Sequence, residues 1–195
     1  AITVALDLTF YQVGIVLSLG SITYLIMQLI SGHISDRGYS NAIIFVCFIG
    51  VAFSSVLLPS ASLFAQILVA FLILRAFTSV YHPVSFASVS RIYATCRTMA
   101  FGVQGAGEQV AMVIAPLFAG FAAEAYGWGA PFYVWAAVGL IGFSSFLTLF
   151  KTSRVNFGRD DFNPQVEEPA KPRKVRLYVL IAASIALAEG VYVLF

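Results

Sequence analysis

Long apolar runs separated by short polar clusters dominate the chain, and residues 8–35, 38–74 and 125–150 contain no Asp, Glu, Lys or Arg. Each run is long enough for at least one helix of about 20 residues, the length that crosses roughly 30 Å of hydrocarbon. Hydropathy and helix start and stop signals together predict six spans, at 10–32, 41–59, 63–88, 99–123, 131–150 and 176–195. Thr9 and Gln12 fit a capping box at the start of the first span, and Ser62 is placed to cap the third in the same way. Pro131 suits the first turn of the fifth, where its missing N–H costs nothing. Pro83 and Pro116 lie inside the third and fourth spans, so they predict kinks whose freed backbone groups need partners within a bundle.

Composition turns this pattern into a class. The chain is 60% hydrophobic and 10% charged, against roughly 25% charged in an ordinary soluble domain. A soluble globule is excluded, and the predicted fold class is all-α, a polytopic helical membrane protein. Half of the charged residues fall in 151–175, which also holds Pro164, Pro169 and Pro172 and is read as a solvated linker between bundles. Residues 1–9 read as the outer end of a preceding helix. With no signal-peptide pattern at its start and an apolar run at its end, the chain is expected to be a fragment of a longer protein.

Charge also orients the spans. Arg37, Arg91, Arg97, Lys151, Arg154, Arg159, Lys171, Arg173, Lys174 and Arg176 lie in or beside the connections 33–40, 89–98 and 151–175, while 60–62 and 124–130 hold no basic residue. The positive-inside rule places the basic face in the cytoplasm of a multi-pass protein of the cell (cytoplasmic, inner) membrane. Tyr126, Trp128, Phe132, Tyr133 and Trp135 cluster at the opposite interface, as an aromatic belt would. The basic residues flank apolar spans rather than forming a polar face, which excludes nucleic acid as a partner. Cys47 lies in a span and Cys96 in a loop, a placement that suggests neither a disulfide nor a metal site.

Candidate chemistry lies where apolar spans carry polar groups. Arg75, Thr78, Ser79 and His82 are spaced to share one face of the third span, and Gln104 and Glu108 are neighbours on the fourth. At about 1.5 Å per residue, Arg75 lies roughly 18 Å from the outer end of its span and Glu108 roughly 14 Å from the inner end of its own, both near the midplane. An Arg75–Glu108 pair is therefore the expected contact, either a static tie between helices or part of a transport pathway. Glu189, inside the sixth span, is a third intramembrane charge, and it or Glu108 is the candidate to exchange protons. His82, beside Pro83, is read either as a helix-packing residue or as a proton carrier. Gly107, Ala111, Ala115, Ala119 and Ala123 recur every fourth residue as a smooth ridge for close helix packing. The remaining Ser, Thr and Tyr of the spans are expected to be satisfied within the bundle.

Gly32-His33-Ile34-Ser35-Asp36-Arg37 resembles the loop signature between helices 2 and 3 of the major facilitator superfamily, although Gly38 comes one position early and Tyr39, Ser40 and Asn41 replace its basic tail. In register with it, Arg75 stands where that family's fourth helix carries a buried Arg. Gly102, Ala111, Ala115, Pro116, Ala119 and Gly120 keep the spacing of the antiporter branch's fifth-helix motif, with three Gly changed to Ala. Tyr81-His82-Pro83 is similar to a step in fosmidomycin-resistance-like exporters. The resemblance implies helices 2 to 7: an N-terminal bundle over 1–150 without helix 1, a cytoplasmic central loop at 151–175, and a truncated first helix of the second bundle at 176–195. It also implies a gating role for Gly32, Asp36 and Arg37, against an ordinary solvated turn.

The function so implied is secondary active transport of a small molecule by two bundles rocking in the lipid bilayer, with proton-coupled efflux of a drug or metabolite as the leading form. Proton-coupled uptake by a symporter, and a transport-inactive sensor or scaffold on the same fold, are the alternatives. Arg75, Glu108, Gln104, Glu189, Ser79 and His82 are the pathway candidates, the proton gradient is the energy source, and no cofactor is expected. The full-length protein is expected to be monomeric. His-Glu-x-x-His, Gly-x-Ser-x-Gly and paired intramembrane Asp are all missing from the sequence, so no enzyme is indicated.

Overall fold

The computed structural model describes residues 6–92 and 96–153, and every regular element among them is helical. In order these are α1 (Phe10–Ile34), α2 (Ser40–Leu57), α3 (Phe64–Ser79), α4 (Tyr81–Ile92), α5 (Arg97–Tyr126) and α6 (Ala130–Ser153). A π-helical turn, Ser35–Tyr39, joins α1 to α2, and a 3₁₀ turn, Leu58–Ser60, follows α2. The sixth predicted span, and Glu189 within it, lie outside the described residues, as do 1–5 and 154–175.

Local chemistry explains most boundaries. Thr9 caps α1 as its sequence predicts: its N–H donates to Gln12 Oε1 at 2.9 Å, and the Gln12 N–H donates to Thr9 Oγ1 at 3.3 Å. Ser62 does not cap α3. That helix starts later, with Leu63 at the cap position, and Gln66 Oε1 reaches back to accept from the N–H groups of Ser62 at 3.0 Å and Leu63 at 3.2 Å. Because Leu63 carries no acceptor, only half of a capping box exists there. Pro131 occupies the first turn of α6 as expected.

An unbroken helix over α1 and α2 would be about 72 Å long, more than twice the hydrocarbon thickness. Gly38, at φ 95° and ψ 2°, divides the run. The hydroxyls of Ser35 and Ser40 hydrogen-bond across that turn at 2.9 Å, buried. The third predicted span is likewise divided, into α3 and α4. Pro83 has no N–H for the Ser79 carbonyl and its ring crowds that oxygen. Thr78 Oγ1 donates to the Arg75 carbonyl at 3.2 Å and Ser79 Oγ to that of Ala76 at 2.8 Å, diverting the same turn further. Pro116 does not divide its span: α5 runs continuously through it. No Ser or Thr lies among Met112, Val113, Ile114 and Ala115, so one backbone bond is lost there without a break.

The second helix is the centre of the bundle, packed against α3 on one side and α6 on the other, while α1 lies on α3 and α5 contacts α4 and α6. Lipid tails are as apolar as Leu, so association depends on close packing rather than on expelling water. Gly50 admits the Phe77 ring, and a Cβ at Gly139 would lie 3.5 Å from that of Ala52. Phe45, Phe48, Phe143 and Phe146 interlock between α2 and α6, the Phe45 and Phe146 centroids being 4.9 Å apart. A Cβ at Gly129 would lie 3.1 Å from Pro59 Cβ, so the two turns without basic residues sit together at one end of the bundle. Tyr126 and Tyr133 are exposed there as interfacial residues, whereas Phe132 and Trp135 turn inward and belong to the core, so the aromatic belt is smaller than predicted.

Candidate functional site

Arg75 is held inside the bundle by α1. Gly20 leaves room for α3 to approach: a Cβ at that position would come 2.6 Å from Phe71 Cε1 and 3.3 Å from Arg75 Cγ. Tyr24 follows one helical turn later, and the Arg75 guanidinium lies 4.3 Å from its ring centroid, a cation–π contact. Arg75 is 7% exposed, so this contact operates away from bulk water and is correspondingly strong. Beyond the α3–α4 break the aromatic surface continues, with His82 at 6.2 Å from Tyr24, 5.8 Å from Tyr81 and stacked on Phe86 at 6.1 Å. Ser79, a predicted pathway residue, is buried with its hydroxyl bound to the Ala76 carbonyl.

Glu108 and Gln104 form a second polar cluster. Gln104 Nε2 on α5 donates to Ser85 Oγ on α4 at 3.0 Å and to Glu108 Oε1 at 3.2 Å. Arg75 and Glu108 thus have separate partners, and the expected pair between them is not what the structure forms. The cause is the break before Pro83: α5 packs against α4, the part of the third span that follows the break, and Arg75 is on α3. Gln104 and Ser85 are both buried, and Glu108 is partly exposed.

The loop residues are arranged as a solvent-facing turn. Asp36 and Arg37 are exposed, while a Cβ added to Gly32 would lie 3.8 Å from Pro83 Cβ, so the end of α1 rests against the start of α4. On α5, Ala111, Ala115 and Ala119 form a buried stripe, with Gly107 and Ala123 partly buried, as a packing ridge requires. Pro116 is partly buried. Gly102 and Gly120 are exposed, with nothing within 4 Å of an added Cβ, so the six positions of the fifth-helix spacing do not share one face.

Three residues of the site escaped the sequence reading. Ser85 continues the stripe of Arg75, Thr78 and His82 by three more residues, and extending the same count would have found it. Tyr24 and Gly20 carry no polar signal within α1 that separates them from lipid-facing neighbours. Most hydroxyls elsewhere are satisfied locally: Ser21, Thr23, Ser54, Ser88, Ser144, Ser145 and Thr148 each donate to a carbonyl four residues back, whereas the buried Ser55 hydroxyl has no partner among the described residues.

Over residues 1–195 the chain matches the family model of the Major Facilitator Superfamily. No curated protein and no solved structure matches it.

Proposed function

The chain belongs to the Major Facilitator Superfamily, and from that membership we propose that the full-length protein exports a small molecule in exchange for protons. The family is one of secondary transporters in the lipid bilayer and not of enzymes. The observation that carries the finer reading is Glu108, a carboxylate within an apolar helix that is hydrogen-bonded to a buried Gln104 and still partly open. A group so placed takes either a proton or a substrate, and that competition is the simplest form of antiport.

Other residues take roles around it. Arg75, fixed over Tyr24, supplies a positive field to the pathway, His82 lines the aromatic surface between the two clusters, and Glu189 is a second carboxylate for proton movement. Ser79 acts through the helix break rather than on substrate. Gly32, Asp36 and Arg37 latch the cytoplasmic end to the second bundle, and Gly102, Ala111, Ala115, Pro116, Ala119 and Gly120 serve helix packing. The protein works as a monomer in the cytoplasmic membrane, with the basic loops inside and the proton gradient, not a cofactor, as its energy source.

The test uses full-length protein in proteoliposomes containing a pH-sensitive dye, challenged with a panel of amphiphilic drugs and small metabolites. Export by exchange moves protons against the substrate. Protons moving with the substrate would replace the reading by uptake symport, and no substrate movement across the panel would leave the sensor or scaffold.

A further inference from the structure

The fourth helix buries Tyr81, Val84, Ser85 and Ser88 and leaves His82 and Phe86, four residues apart, on its open face. Both α1 and α5 pack against α4 and scarcely touch each other, so they stand as walls on either side of that face. The resulting groove is surfaced by rings from three helices. His82 stacks on Phe86 at 6.1 Å between centroids with planes 21° apart, Tyr24 on α1 lies 6.2 Å from His82, and Phe101 on α5 lies 5.5 Å from Phe86. Phe86 is 41% exposed, and His82, Tyr24 and Phe101 are each partly open. Gly105, one turn beyond Phe101, has nothing within 4 Å of an added Cβ. It lies about 140° around α5 from Phe118, which meets Trp135 of α6, so this open space is on the groove side of α5.

We infer that this groove seats a planar aromatic ring of the transported molecule, held between the Phe86 and His82 floor and the Tyr24 and Phe101 walls. This rests on the transport reading above and names a chemical class for its substrate; it depends on neither the direction of transport nor a proton. Polar ring atoms of Tyr24 and His82 set against acyl chains would be costly, which favours an opening toward the protein interior over one toward lipid. The charged groups at the inner end of the groove already have protein partners, Arg75 on the Tyr24 ring and Glu108 on Gln104. What the groove offers a ligand is therefore ring surface. The rings are inclined to one another by 21°, 48° and 58°, so a flat ring stacked on one of them turns its electropositive edge toward the face of another. A saturated ring of similar volume fills the same space and gains neither contact.

The experiment is equilibrium dialysis of tritiated 2-naphthylethanol, which is uncharged, against purified full-length protein in lipid nanodiscs, with its fully saturated decahydro analogue as comparison and empty nanodiscs subtracted. Aromatic contacts add roughly two- to tenfold in affinity beyond apolar burial, so the wild type should bind the naphthyl compound about fivefold more tightly than the saturated one. Phe86→Leu and His82→Leu keep an apolar floor without the ring, and each should reduce that preference to less than about twofold while binding of the saturated analogue changes little. Gly105→Leu, which puts a side chain into the open space, should weaken both compounds by about tenfold. Phe121→Leu removes an exposed ring near the far end of α5 and should leave both affinities unchanged. A photoactivatable diazirine of the naphthyl compound should label residues of α4, and excess 2-naphthylethanol should prevent it.

Equal binding of the two compounds overturns the site, because it describes a groove that any apolar body or lipid tail fills. Absence of binding overturns it in favour of a groove covered by a helix of the full-length protein. An aromatic preference that persists in both Phe86→Leu and His82→Leu overturns it as well, since the ring is then bound elsewhere. Transport of other small molecules in proteoliposomes, with no aromatic preference in binding, overturns the site and leaves the transporter reading intact. The expected binding pattern without transport of any compound supports the site and removes the transporter reading.

Discussion

The guanidinium carbon of Arg75 lies 4.3 Å from the centroid of the Tyr24 ring, joining α3 to α1 through the face of an aromatic rather than through a carboxylate. An arginine in an apolar span is costly to insert, and the ring face offsets part of that cost with a contact that needs no second charge. Tyr24→Leu should therefore lower stability by about 1–2 kcal/mol, while Tyr24→Phe keeps the ring face and most of the stability. Thermal unfolding of the full-length protein in detergent reads this directly. Equal losses in the two variants would assign the effect to the Tyr24 hydroxyl instead.

Gly20 allows that contact by letting Phe71 and the Arg75 stem reach α1. Gly20→Ala places a methyl 2.6 Å from Phe71 Cε1, and Phe71 is buried too completely to retreat. A loss of about 1–3 kcal/mol is expected from overpacking. Gly105→Ala, with nothing within 4 Å of the added Cβ, should instead gain roughly 0.5–1 kcal/mol from helix propensity. Melting temperatures moving in the same direction for both would contradict this packing.

The Gln104–Ser85 hydrogen bond is a buried polar link between α5 and α4. A double-mutant cycle of Ser85→Ala and Gln104→Leu should show coupling of about 0.6 kcal/mol, typical of polar contacts between transmembrane helices. Strict additivity of the two losses would mean that the link contributes nothing to stability.

At the turn between α1 and α2, Gly38 adopts φ 95°, a conformation that an L side chain resists. Gly38→Ala should cost about 1–2 kcal/mol, and Gly38→Asn less, since Asn tolerates the left-handed region. Gly14→Ala, in the second turn of α1 with open space around it, serves as the comparison and should not destabilise. Unfolding midpoints of the three variants give the order.

Arg75 and Glu108 show where reading the sequence reached and where it stopped. Each stands out as an intramembrane charge from its position alone, because an ionisable residue in an uncharged run is conspicuous without any knowledge of its neighbours. Their pairing with each other did not follow. Equal depth and adjacent spans suggested contact, but depth is one coordinate of three, and the break before Pro83 rotated the choice of neighbour from α3 to α4. Phe132 and Trp135 show the same limit: the sequence places them at the outer interface, yet whether an aromatic ring there faces lipid or the core depends on the helix opposite.

By itself the sequence determined the approximate extent of the described apolar runs, the basic face, the capping of α1, a disturbance of the helix at Pro83, and the family. These depend on runs of hydrophobicity, on charge placement and on local hydrogen bonds, all of which lie within a few residues of one another along the chain. Only the tertiary structure decided that Tyr24 receives Arg75, that Ser85 receives Gln104, and that Gln104 Oε1 is left facing inward. Such contacts arise from how closely particular helices approach, and in a bilayer that approach is governed by shape, at Gly20 against Phe71 and at Gly50 against Phe77, rather than by hydrophobicity, which is nearly the same on every face.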